Sequence, residues 1–191
     1  MNDLNLLTTK LAGQAVYGID ASSANKDQRT GVENYSRLLI EHMKTHALKE
    51  GERVVLYSNT KLDQTLATLP QGWSSVVLNW PPGRGWMSLR VSLEMLRRKP
   101  SVLFVPGQAL PVLCPRATVT TVHDLAFARR ADLYEPATRK RLKRTTKQAM
   151  KKATRIIVPS QATKQDLVEL YHVAKARVVV IPEAADTSLF R

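Results

Sequence analysis

The chain is predicted to fold as a single α/β domain with a mostly parallel sheet and helices on both of its faces. Apolar runs of four to six residues, typical of strands buried on both sides, alternate with segments whose apolar residues recur at helical spacing. Strands and helices that alternate in this way form right-handed βαβ units. We find no internal repeat and no long linker in the 191 residues. The sequence therefore predicts one domain at 15–191, preceded by an N-terminal arm at 1–14.

Seven segments are predicted to be strands, because β-branched residues dominate them and polar or turn residues end them. The first is "AVYGID", and Pro106 ends the fourth, "SVLFVP". The others are 54–57 in "RVVLYS", 75–78 in "SVVL", "TVTTVHD", "RIIVPS" and "ARVVVIP".

Four helices are predicted between these strands. The third spans about 136–153, with Pro136 suited to its first turn. The fourth follows Ser160, a residue that is typical of a helix N-cap. The apolar or neutral positions that mark the four helices are, in chain order, Val32, Tyr35, Leu39 and Met43; Trp86, Leu89, Leu93 and Leu96; Leu142, Thr146, Ala149 and Ala153; and Leu167, Leu170 and Tyr171.

Charge is distributed unevenly along the chain. The formal net charge is +13, and residues 129–155 contain eleven Lys or Arg against only Asp132 and Glu135. Such a segment favours an anionic partner, which could be a nucleic acid, phospholipid headgroups or a phosphorylated substrate. The single cysteine, Cys114, excludes an internal disulfide framework. With no signal-peptide pattern in "MNDLNLLTTK", we expect a cytoplasmic protein.

Polar residues and glycines follow the strands at their carboxyl ends, where ligands bind in a doubly wound sheet. They are Asp20, Thr30 and Gly31, Gly107, His123 and Asp124, Ser160, and Glu183. Structural roles remain open for two of them: a satisfied core histidine at His123 and a turn residue at Asp124. At Ser160 the pattern favours a helix cap over a ligand contact. The chain lacks G-x-G-x-x-G and G-x-x-x-x-G-K, so neither a dinucleotide fingerprint nor a P-loop is supported. We find no Ser-His-Asp order and no metal-ligand spacing.

Several motifs, taken in order, resemble the N-terminal half of family 4 glycosyltransferases. "YGIDASSANKDQRTGVENYSRLL" is similar to the family's first strand, variable loop and T-G-[IV] helix start. "TVHDLAF", the basic helix, "ATRIIVPSQATKQDLVELYHV" and "RVVVIPEAADTSLF" are similar to the segments that follow. The resemblance covers about residues 17–190.

This resemblance implies a retaining, metal-independent transferase of GT-B fold, in which two Rossmann-like domains face each other across a cleft. The chain would be the acceptor-side domain, the donor would be a nucleotide-diphosphate sugar, and no further cofactor would be needed. By position, Gly31 matches the turn that approaches the donor diphosphate, and His123 matches the histidine beside the transferred sugar. Asp124 is its neighbour in the motif.

Thr30, Gly107, Ser160 and Glu183 complete the expected donor and acceptor contacts. Glu183-Ala184 stands where the family has Asn-Gly. Because the chain ends at Arg191, where the interdomain linker would begin, we expect it to lack the C-terminal donor domain and to be inactive alone.

Two alternative functions remain open from the sequence. The first is a stand-alone binding module or one subunit of a split transferase. The second is a basic nucleic-acid-binding domain, which the chain favours less because it has no interleaved aromatic residues and no RNP-like motif.

The resemblance implies an acceptor that is often lipid-linked or embedded in a membrane. Together with the basic helix this predicts a peripheral contact with the inner face of the cell membrane, without insertion, because the apolar face of the helix is narrow. The residues assigned to this contact are Arg139, Lys140, Lys143, Arg144, Lys147 and Lys151. The alternative is a solvated basic face with no partner.

Overall fold

Seven parallel strands form one sheet in the order β3-β2-β1-β4-β5-β6-β7, which confirms the predicted α/β class. The computed structural model describes residues 14–81 and 85–184. The predicted arm, apart from Gln14, lies outside these residues. The strands are β1 (Ala15–Asp20), β2 (Glu52–Ser58), β3 (Trp73–Val77), β4 (Val102–Val105), β5 (Ala117–Thr121), β6 (Arg155–Val158) and β7 (Val178–Val180).

All four predicted helices are present, and a short additional helix follows the "TVHD" segment. They are α1 (Gly31–Lys44), α2 (Ser92–Arg97), the additional α3 (Ala126–Arg129), α4 (Pro136–Lys152) and α5 (Gln161–Tyr171). A π-helical turn, Trp86–Val91, leads into α2, and 3₁₀ turns occur at Ala131–Leu133 and Lys175–Arg177. Within the described residues, none of the helices combines the length and the apolar character that crossing a membrane would require.

Helices cover both faces of the sheet, but they cover them unequally. On one face α2, α4 and α5 contribute Met95, Ala149 and Leu167 to a large core. On the other face, α1 packs Ile40 over β1 and β2. Beyond α1, partly exposed apolar side chains of β4, β5 and β6 border a cavity of about 590 Å³.

The apolar face predicted for the second helix is not buried. Leu89, Leu93 and Leu96 are exposed, whereas Met95 and the charged Glu94 lie in the interior. The π-helical turn is wider than an α-helical turn, so it rotates the residues that follow it about the helix axis. Glu94 tolerates burial because Arg90 and Arg98, one turn away on either side, donate to its carboxylate at 3.1 and 3.4 Å.

The order of the strands determines where a ligand site can form. β1 neighbours β2 on one side and β4 on the other, so the connections that leave β1 and β4 diverge at this point. Such a divergence opens a crevice at the carboxyl ends of the two strands. Asp20 ends β1, and Pro106 and Gly107 follow β4 directly, so these residues border that crevice.

Candidate functional site

His123 lies at the carboxyl edge of the sheet, two residues beyond β5, and both of its ring nitrogens face oxygen atoms. Nδ1 lies 2.8 Å from Oε1 of Glu183, and Nε2 lies 3.1 Å from the carbonyl oxygen of Pro106. The ring of Tyr35 from α1 packs edge-on against the imidazole, with centroids 4.7 Å apart. Three segments that are distant in the sequence therefore hold the His123 side chain. Its exposed fraction is 17%.

The two contacts of His123 constrain its protons. A carbonyl oxygen only accepts hydrogen bonds, and so does an ionised carboxylate. Each ring nitrogen donates to its oxygen when it carries a proton, and the tautomer decides which nitrogen that is. The two oxygens orient the imidazole at an edge of the sheet where a ligand has access.

Asp124 and Ser160 have local structural roles in this chain. Oδ1 of Asp124 accepts from the amide of Ala126 at 2.9 Å, which closes a turn before α3. Oγ of Ser160 accepts from the amide of Thr163 at 3.1 Å, which confirms the predicted N-cap of α5. The hydroxyl of Thr163 also lies 3.5 Å from the carbonyl oxygen of His123, so the start of α5 supports the histidine backbone.

The N-terminus of α1 is stabilised by its own side chains but stays open at Gly31. The amide of Thr30 donates to Glu33 at 3.1 Å, and Lys26 pairs with the same carboxylate at 2.8 Å. The Lys26 ammonium, followed by Thr30, lowers the pKa of Glu33 to about 2. In the described part of the chain no group accepts from the amides of Gly31 and Val32. These two amides can therefore bind an anion.

Gly31 has no steric requirement for glycine within the chain itself. Its φ is not positive, and apart from its chain neighbours and its own helix backbone, a Cβ atom built on it would meet no heavy atom of the described residues within 4 Å. The glycine therefore leaves space in front of the helix start, and the structure does not support a role in turning the chain. Gly31 and Tyr35 are one helical turn apart. The open N-terminus of α1 therefore lies one turn away from the ring that contacts His123.

A cavity of about 280 Å³ lies in the crevice between β1 and β4. Its polar lining includes Asp20, Gln108 and Arg141, and Gly107 forms part of its rim. Asp20 is 5% exposed and accepts from the amide of Ser22 at 2.9 Å. Burial raises the pKa of the Asp20 carboxyl, although the hydrogen bonds from Ser22 act in the opposite direction.

The basic residues of α4 do not all point in the same direction. Arg139, Lys140 and Lys143 line a third cavity, of about 290 Å³, near the helix start. Nε of Arg139 donates to the carbonyl oxygen of Phe127 at 2.9 Å, so this guanidinium also supports the fold. The predicted stripe packs inward at Thr146, Ala149 and Ala153, and Met150 joins it in the interior.

Three residues of this site were not predicted from the sequence. Tyr35 was assigned to the apolar face of α1, whereas its ring contacts His123 and its hydroxyl lies 3.2 Å from Thr121 Oγ1. Gln108 and Arg141 were not singled out as ligand contacts. Gln108 directly follows Gly107, which is the only signal in the sequence that could have found it.

Comparisons with known proteins agree with this architecture. The model of glycosyltransferase family 4 matches residues 29–189. No curated protein matches the chain. Among solved structures, HepE from Anabaena, determined with UDP and glucose, aligns with 15% identity and a TM-score of 0.53. That alignment covers 93% of this chain and 46% of HepE.

The wall teichoic acid polymerase TagF also aligns, with 13% identity and a TM-score of 0.54, over 88% of this chain and 38% of its own. At such identities these structures share the fold. The chain spans less than half the length of either structure. The family model, by contrast, covers most of the chain. The chain therefore belongs to glycosyltransferase family 4 and has the fold of an N-terminal GT-B domain.

Proposed function

We propose that this chain is the acceptor-side domain of a retaining, metal-independent transferase that moves a sugar from a nucleotide-diphosphate sugar to an acceptor. One observation carries the proposal: His123 and the 280 Å³ cavity meet at the segment Pro106-Gly107. The Pro106 carbonyl lies against His123, and the next residue, Gly107, lines the cavity. Thr120 Oγ1 donates to the Gly107 carbonyl at 2.5 Å and so holds this segment in place between His123 and the cavity.

The donor sugar would lie beside His123, close to the open N-terminus of α1. Breaking the bond between a sugar and a diphosphate places negative charge on the leaving diphosphate. The amides of Gly31 and Val32 supply positive potential where that charge develops, and the imidazole of His123 offers a ring N–H beside it. HepE, which shares the fold, was determined with UDP and glucose, and this supports a nucleotide-sugar donor here.

The acceptor would occupy the cavity between β1 and β4. A carboxylate at Asp20 and an amide at Gln108 are suited to the hydroxyl groups of a sugar. Trp86 and Met87 offer an apolar wall, as is typical of small-molecule sites. Arg141 has no ion-pair partner among the described residues, so it would bind an anionic group on the acceptor, such as a phosphate.

In the proposed reaction the bond from the anomeric carbon to the diphosphate oxygen breaks, and the acceptor hydroxyl oxygen forms the new bond to that carbon. The hydroxyl proton leaves with the departing diphosphate, and the configuration of the anomeric carbon is kept. The role of His123 is to contact the sugar and to stabilise the charge that leaves it. For this, a hydroxyl of the donor would replace the Pro106 carbonyl at Nε2.

The experiment that tests this function is a product assay on the intact enzyme with a panel of nucleotide-sugars and acceptors. His123→Ala should lower turnover by about 10²-fold or more, as the loss of a positioned transition-state contact does. His46→Ala is the matched control, because His46 is exposed and lies beyond the far end of α1. Normal turnover in the His123 variant would refute the proposed site, and a product of inverted configuration would refute the retaining reaction.

A further inference from the structure

Five large apolar side chains form an exposed patch on the face of the sheet that carries α2 and α4. Each of them is between 36% and 68% exposed. Three lie on the π-helical turn and α2, and two lie in the connection that follows β4. We call this surface the leucine patch; it consists of Leu89, Leu93, Leu96, Val112 and Leu113.

Hydrogen bonds join the two halves of the leucine patch. The amide of Val112 donates to the carbonyl of Ser88 at 3.4 Å, and the amide of Leu113 donates to Oγ of Ser92 at 3.1 Å. Ser88 and Ser92 are one turn apart on the helix that carries the exposed leucines. The five side chains therefore belong to one surface and are not scattered singly, and exposed apolar clusters of this kind mark interaction sites.

The basic helix α4 borders the same patch. Nζ of Lys152 donates to the carbonyl of Pro111 at 3.0 Å and also to that of Val112. One turn earlier, Nε2 of Gln148 donates to the carbonyl of Leu110 at 3.3 Å. The last turns of α4 thus lie directly against the chain segment that carries Val112.

Exposed cations lie on the two helices that border the leucine patch. Arg97 and Lys99 are exposed at the end of α2, and Arg144, Lys147 and Lys151 are exposed on α4. Among the residues that the structure describes, none of these five forms an ion pair. Like charges four residues apart on one helix repel each other, so α4 gains stability when an anionic surface approaches.

We propose that the leucine patch and the exposed cations of α2 and α4 form a docking surface for an anionic lipid membrane. An interface of headgroups and acyl chains satisfies both halves of this surface, since it removes the leucines from water and neutralises the cations. The sequence predicted contact without insertion because α4 lacks a wide apolar face. In this proposal α2 and residues 112–113 supply the apolar part beside α4.

Co-sedimentation with vesicles tests the proposal without any transferase substrate, so its outcome is independent of the proposed function. The whole chain is mixed with vesicles of phosphatidylcholine alone or of phosphatidylcholine with phosphatidylglycerol. We expect binding to the anionic vesicles only. Equal binding to both kinds of vesicle would overturn the proposal, and so would binding to neither. The proposal would also fail if the chain bound a soluble acidic protein but not the vesicles.

Two triple variants separate the apolar and the charged contributions. Arg144→Ala, Lys147→Ala and Lys151→Ala together should lower the partition coefficient about a hundredfold, since each basic residue near an anionic surface contributes about a factor of five. Leu89→Ser, Leu93→Ser and Leu96→Ser together should lower it about tenfold or more, and salt should abolish the remaining binding.

The chain offers a matched control for each variant. Leu133→Ser changes a leucine that is 65% exposed and lies outside the patch. Lys49→Ala, Lys61→Ala and Lys175→Ala together remove three positive charges from exposed positions on other elements. Because the substituted side chains are exposed, all variants should keep the melting temperature of the wild type. If a control weakened vesicle binding as much as its partner variant, binding would not depend on this surface and the proposal would be refuted.

Discussion

Replacing Gly31 with alanine separates a structural glycine from one that makes room for a ligand. The described residues leave space for the methyl group, since none of them beyond the chain neighbours and the local helix backbone lies within 4 Å of the Cβ position, and φ is not positive. Gly→Ala at a compatible position stabilises a protein by about 0.4–1 kcal/mol, because the unfolded chain loses freedom. For a domain of this size that gain corresponds to a rise of about 1–4 °C in melting temperature.

Ligand binding should change in the opposite direction. A methyl group at Gly31 would occupy the space through which a diphosphate reaches the first amides of α1. Losing one hydrogen bond to a charged group costs about 1.5–3 kcal/mol, which is about a ten- to hundredfold loss of affinity. We therefore expect Gly31→Ala to raise the melting temperature while it weakens diphosphate binding.

Calorimetric titration with pyrophosphate and with a panel of nucleoside diphosphates measures the binding, and thermal unfolding measures the stability. Leu38→Ala is the control: Leu38 is 40% exposed and lies on the same helix, about two turns beyond Gly31. The control should leave diphosphate affinity unchanged. Unchanged affinity in Gly31→Ala, or equal losses in both variants, would refute the assignment of Gly31 to the diphosphate.

Three further predictions follow from the charged groups. Glu183→Ala removes the oxygen that lies 2.8 Å from Nδ1 of His123, so turnover of the intact enzyme should fall about tenfold; unchanged turnover would contradict the orienting role of Glu183. Burial raises the pKa of Asp20, so the ionised carboxylate destabilises the fold at high pH. Urea titrations should therefore show that Asp20→Asn stabilises the fold at alkaline pH but not at acidic pH. Arg37 lowers the pKa of Asp63 to about 2, so their pair stabilises above the ordinary pKa of a carboxyl and is lost as pH falls towards 2. After solvent screening is allowed for, Asp63→Asn should lower the free energy of unfolding by about 1 kcal/mol at neutral pH and leave it unchanged at the acid end. A loss of stability that does not vary with pH would contradict this.

The sequence by itself determined the class of fold and the order of its elements, and it indicated the edge of the sheet at which we place the candidate site. Periodicity and strand endings report local burial and local hydrogen bonding, and these are properties of neighbouring residues. For this reason the N-cap at Ser160 and the buried stripe of α4 at Thr146 and Ala149 were predicted correctly. The position of His123 just beyond a strand was likewise visible in "TVHD".

Only the tertiary structure decided which of these residues meet. Glu183 lies 60 positions from His123, and they pair because β5, β6 and β7 are neighbours in the sheet, which no local pattern encodes. Tyr35 reaches the same ring because β1 carries α1 past it. The exposure of Leu93 followed from a π-helical turn whose rotation helical periodicity does not predict. Contacts between distant segments depend on strand order and helix rotation, and both are set by the packing of the whole domain.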